Sequence, residues 1–88
     1  MAQQKKKVRF GPNHIKVEDS TMVDRVYYDP ETNTLDAVFR KKKETEKERR
    51  YRYRGVGPKV FAQFVLAKSM GKFFNSKIRT KYQYQPVL

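Results

Sequence analysis

Residues 34–58 read TLDAVFRKKKETEKERRYRYRGVGP, and this stretch decides the fold. At its start Leu35, Ala37 and Phe39 alternate with Asp36, Val38 and Arg40. That period of two places successive side chains on opposite faces of a half-buried strand. Residues 41–48 are entirely polar and form the tip of an extended, charged hairpin over 40–50. The alternation then resumes, with Tyr51 and Tyr53 on one side and Arg50, Arg52 and Arg54 on the other. Gly55-Val56-Gly57-Pro58 stops this strand, and Pro58 suits the first turn of a helix, where its missing N–H costs nothing.

Upstream, residues 20–28 are rich in Thr, Val and Tyr and end at Asp29-Pro30-Glu31-Thr32-Asn33, a run of turn formers. This is a strand followed by a turn. Residues 1–15 make a basic, flexible arm with Lys5, Lys6, Lys7 and Arg9 ahead of a Gly11-Pro12 break. Downstream of Pro58 the period changes. At about 100° per residue, Val60, Phe64, Ala67, Gly71, Phe74 and Ile78 share one stripe. Ser69-Met70-Gly71 interrupts it, predicting one kinked or two short helices. Gly71, lying on the stripe, lets the helix backbone approach the sheet. Residues 82–86 alternate again and read as a short edge segment, Pro86 being barred from a central strand. The sum is a single α+β domain over residues 16–88: a three-stranded antiparallel meander with C-terminal helices packed on one sheet face.

Composition narrows the chemistry. With 88 residues, the chain has room for one small domain with a thin core. The absence of cysteine excludes disulfide staples, thiolate zinc sites and cysteine nucleophiles. Apolar runs are too short for a membrane span, and the lysine-rich start lacks a secretory signal, so a cytoplasmic protein is expected. The single histidine, His14, has no triad partner at a useful spacing and reads as solvated. Asp24, Asp29, Glu31 and Asp36 gather near the first turn without the spacing of a calcium loop. Gly55 and Gly57 do not form a phosphate-binding loop. The expectation is a protein that is not an enzyme and holds no metal or cofactor.

Charge points outward instead. The chain carries 21 Lys+Arg against 9 Asp+Glu, a formal +12. The excess is uneven: residues 21–40 are net −2, whereas 41–57 carry +5 and 58–88 carry +6 with no carboxylate. Such asymmetry suits a polyanionic partner.

Ser20, Val23, Val26, Tyr28-Asp29-Pro30, Thr34-Leu35, Phe39, Tyr51-Arg52-Tyr53, Val56 and Pro58 form an ordered set, completed by Ala67, Ser69-Met70-Gly71, Phe73-Phe74-Asn75, Ile78-Arg79 and Tyr82. In this order they resemble the KTSC domain, a module of small bacterial and phage proteins that is also appended to some lysyl-tRNA synthetases. Two features depart from the pattern: Gly57 adds a residue before Pro58, and the hairpin is longer and more charged. The resemblance implies the α+β fold and, through the synthetase fusion, a role on RNA.

The residues themselves suggest where a polyanion would sit. Arg40, Arg50, Arg52 and Arg54 share the sheet side opposite Leu35, Phe39, Tyr51 and Tyr53. With helices covering the apolar side, an open face of guanidinium groups is expected, able to grip phosphate bidentately and stack on bases. Tyr51 and Tyr53 serve either as core rings or, in the inverted arrangement, as a stacking platform. Lys68, Lys72 and Arg79 fall within about 40° of one another on a helical projection, with Asn75 at the edge. They form either a phosphate-tracking ridge or stems snorkelling along the core, and Asn75 or Arg79 alternatively braces the helix. The expected function is binding of RNA or single-stranded nucleic acid with weak sequence preference. The rival is docking on an acidic protein surface through the hairpin residues Lys41, Lys42, Lys43, Lys47 and Arg49. Attachment to anionic lipid is disfavoured, because the apolar stripe is needed by the sheet.

Overall fold

The computed structural model describes residues 14–87; the arm lysines Lys5, Lys6 and Lys7 and Arg9 lie outside them. Strands β1 (Ile15–Lys16), β2 (Val23–Asp29), β3 (Thr34–Phe39) and β4 (Arg49–Arg54) are followed by helices α1 (Pro58–Leu66) and α2 (Met70–Phe73). A π-helical segment, Phe74–Arg79, continues α2, and β5 (Tyr84–Pro86) is the last element. The strands form one antiparallel sheet in the order β1-β2-β3-β4-β5.

The α+β class and the central meander stand as expected, but the sheet has five strands rather than three. The additions are edge segments of two and three residues: β1 is too short to show a period, whereas β5 falls within the edge segment expected over residues 82–86. Backbone hydrogen bonds extend both edges, from Val17 N to Asp24 O (3.0 Å) and from Val87 N to Arg50 O (2.8 Å).

Register explains the core. Leu35 pairs Tyr53 and Ala37 pairs Tyr51, so the apolar positions of β3 and β4 share one face. On β2 the buried residues Val23 and Val26 are three apart, which strict alternation forbids. A register shift between Val23 and Arg25 inserts one residue and returns both valines to the core side. Phe64 of α1, with Phe74 and Ile78 of the π-helical segment, packs on this face. Tyr28 stacks on Phe61 at 4.0 Å and donates to the Val56 carbonyl at 2.7 Å.

Pro58 occupies the start of α1, and the predicted interruption produces two short helices. Ser69 is extended and caps α2, its Oγ accepting from Lys72 N at 3.2 Å. Gly71 is a close-approach position, but what it meets is the segment before β2 rather than a strand. A Cβ there would lie 3.0 Å from Ser20 Cβ and 3.1 Å from Asp19 O. Asp19 accepts from Ser69 Oγ (2.5 Å) and Gly71 N (3.0 Å). These two hydrogen bonds hold its carboxyl below the ordinary value of 3.8.

Candidate nucleic-acid interface

The arginine face expected from the alternation is present in register but is not an open surface. Asp36, paired with Arg52, is fully buried on the side away from the helices. It accepts from Arg50 Nε at 2.7 Å and from Arg52 Nε and Nη2 at 2.8 and 3.0 Å. The Arg50 guanidinium also lies 4.5 Å from the centroid of Tyr27. Arg25 continues this layer, bonding Tyr27 Oη (3.2 Å), Asp24 (2.8 Å) and Glu48 (2.9 Å). The reason is electrostatic: a carboxylate buried mid-strand is tolerated only when cations and hydrogen bonds compensate it, and the neighbouring arginines do so.

Arg40 is likewise committed to the fold. It donates to the carbonyls of Ser20 (2.8 Å) and Val17 (2.9 Å) and to Asp24 (3.1 Å), tying the segment between β1 and β2 to the end of β3. Of the four predicted face arginines, Arg54 alone is classed as exposed.

The helical ridge does not form as projected. Lys68 lies in the break between α1 and α2, and the wider turns of the π-helical segment rotate each residue by less than about 100°, so the phase lags beyond Phe73. A uniform 100° projection therefore fails across residues 68–79. Lys72, Asn75 and Arg79 are all exposed. Neither the Asn75 nor the Arg79 side chain makes a hydrogen bond among the described residues.

The hairpin loop is ordered by its own carboxylates. Glu46 accepts from the amides of Lys42 (2.5 Å) and Lys43 (3.1 Å), which lowers its pKa, and Glu48 bonds Arg25. Lys41, Lys42, Lys43 and Lys47 remain exposed.

What the structure assembles is a groove of about 480 Å³ between β4, β5 and the end of the π-helical segment. Arg49 and Arg79 line it together with Phe39, Tyr51, Tyr53 and Tyr84. Tyr53 is its floor: only 2% exposed, with burial pushing its hydroxyl up to about 12 against the opposing field of Arg79. Tyr84 is 57% exposed and meets Tyr51 edge-on at 5.5 Å and Tyr53 at 5.6 Å. Arg49 sits 5.8 Å from the Phe39 centroid. Tyr53 is a core ring, and Tyr51 packs against the core while remaining partly accessible. Sequence reasoning placed Arg49 only on the hairpin and passed over Tyr84. The signal was the Tyr82-Gln83-Tyr84 alternation beside a strand carrying Tyr51 and Tyr53.

Among the described residues, no group of three or more His, Asp or Glu is arranged to hold a metal, and no helix is long and apolar enough to cross a membrane.

The fold and groove define a small α+β domain with a basic, aromatic cleft at one sheet edge. The chain belongs to the KTSC domain family, whose model matches residues 19–82. The crystal structure of a KTSC domain protein from Yersinia pestis is similar, with a TM-score of 0.69 and 26% identity over 86% of this chain and 97% of that one. A comparison with curated protein sequences returned no match.

Proposed function

We propose that this protein is a non-enzymatic module that binds single-stranded nucleic acid, RNA foremost, in the groove between Arg49 and Arg79. The observation that carries the reading is the groove itself: two guanidinium groups flank partly accessible tyrosine rings, and no Asp or Glu among the described residues lines it. Aromatic rings take bases by stacking, at about 1–3 kcal/mol per base, while arginines take phosphate. Its volume falls within the range of roughly 300–1,000 Å³ common to small-ligand sites, which suits one nucleotide at a time. Duplex binding is less well served, because no described helix offers a row of base-reading side chains. A cytoplasmic location belongs to the same proposal.

Fluorescence anisotropy with labelled single-stranded and duplex RNA and DNA at several salt concentrations tests this. Single strands bind more tightly, and affinity falls by about 0.7 log units per log unit of salt for each phosphate neutralised. Absence of binding at low salt overturns the reading.

One observation favours a second reading. Glu46 holds the backbone of Lys42 and Lys43 beside Lys41, presenting a shaped cationic tip suited to an acidic protein surface. Replacing residues 41–48 by a short turn abolishes capture of such a partner while sparing nucleic-acid affinity.

A further inference from the structure

A second groove of about 240 Å³ lies beside β5, lined by Arg54, Lys81, Gln83 and Gln85, with Arg52 at its wall. Gln85 pairs Arg52, whereas Tyr84 pairs Tyr53, so alternation puts these pairs on opposite sides of the sheet edge. The two grooves nevertheless share one wall, because Tyr84 lines both. Among the described residues, no Asp or Glu lines either of them. Arg54 and Lys81 are exposed, and their side chains form no ion pair among the described residues, so both charges face solvent. Two glutamines stand beside them, each with an amide able to donate and accept.

Resting on the nucleic-acid reading above, we infer that the Arg54–Lys81 groove is a second nucleotide subsite, and that a single strand crosses the β5 edge over Tyr84. One phosphate lies against Arg49 and Arg79, and the next against Arg54 and Lys81. The Tyr84 ring stacks between the bases that the two grooves receive. The glutamine amides face a base edge or a ribose hydroxyl. Charge complementarity selects the occupant: two cationic grooves with no Asp or Glu among their described lining residues, joined by an exposed ring, match the phosphate-base-phosphate repeat of a nucleotide chain.

The test is a length series of oligouridylates, from the monophosphate to the hexanucleotide, titrated into the full-length protein and followed by amide NMR shifts. The monophosphate shifts signals around Arg49, Tyr51 and Arg79. The trinucleotide also shifts Arg54, Gln83 and Gln85 and binds about tenfold more tightly, the gain from one further stacked base and its phosphate. The double variant R54Q/K81Q, both changes at exposed positions, loses that tenfold gain and leaves monophosphate affinity unchanged. If R54Q/K81Q binds the trinucleotide like the parent while R49Q/R79Q does not, the second subsite is refuted and the first groove stands. If no oligonucleotide binds at any length, both fall.

Discussion

Arg50 and Arg52 stand on the same strand as Arg49, yet they are used differently. Arg50 and Arg52 turn toward Asp36, a carboxylate with no exposed surface, and close over it. Arg49 turns to the other side, beside Phe39 and across the groove from Arg79. The difference teaches that an arginine's availability depends on whether the fold buries a carboxylate within its reach. A chain with +12 formal charge thus spends part of its cationic surface on holding itself together.

Removing the buried carboxylate tests the first half of this contrast most severely. Asp36→Asn leaves Arg50 and Arg52 facing a neutral buried group, at a cost of about 3 kcal/mol. At this chain length that lowers the melting temperature by roughly 15 °C, followed by circular dichroism. A fall of only a few degrees would mean that the two arginines are held chiefly by water and are available after all.

Arg40→Met extends the test to the third committed arginine. Loss of its bonds to Ser20, Val17 and Asp24 costs about 2 kcal/mol in urea denaturation. Nucleic-acid affinity under folding conditions stays unchanged.

Arg49→Gln with Arg79→Gln reverses the pattern. The melting temperature is preserved, while the salt slope of single-strand binding drops by about 1.4, or 0.7 per lost phosphate contact. An unaltered slope would return the charge to the hairpin lysines.

The smallest effect concerns Asp19. Its folded carboxyl titrates below 3.8, so its contribution to stability is fully present above that value and is lost as pH falls through the lower folded value. Asp19→Asn is therefore less stable than the parent near neutrality, and the two converge in acid. Parallel urea melts between pH 7 and pH 2 measure the convergence.

Much of the fold was legible in local pattern. Leu35, Ala37 and Phe39 marked β3, Tyr51 and Tyr53 marked β4, and Pro58 and Ser69 marked where the helices begin. β1 was not legible, because two residues cannot show a period, and β5 was legible only as an edge segment. Of the candidate site, Arg79 was found and Arg49 was found for another reason. Tyr84 was missed because its partners, Tyr51 and Tyr53, lie some thirty residues away in the chain and meet it only through sheet pairing.

The sequence alone determined the α+β class, the turn at residues 29–33, the interruption between the helices and the surplus of positive charge. These are consequences of side-chain period, turn chemistry and composition, all of which act over a few neighbours. Tertiary structure alone decided which arginines face inward. That choice rests on the register pairing Asp36 with Arg52, on the bulge that returns Val23 and Val26 to the core, and on the π-helical turns that bring Arg79 to the groove. Each depends on contacts between distant segments, whose charges interact strongly only once folding has removed the water between them.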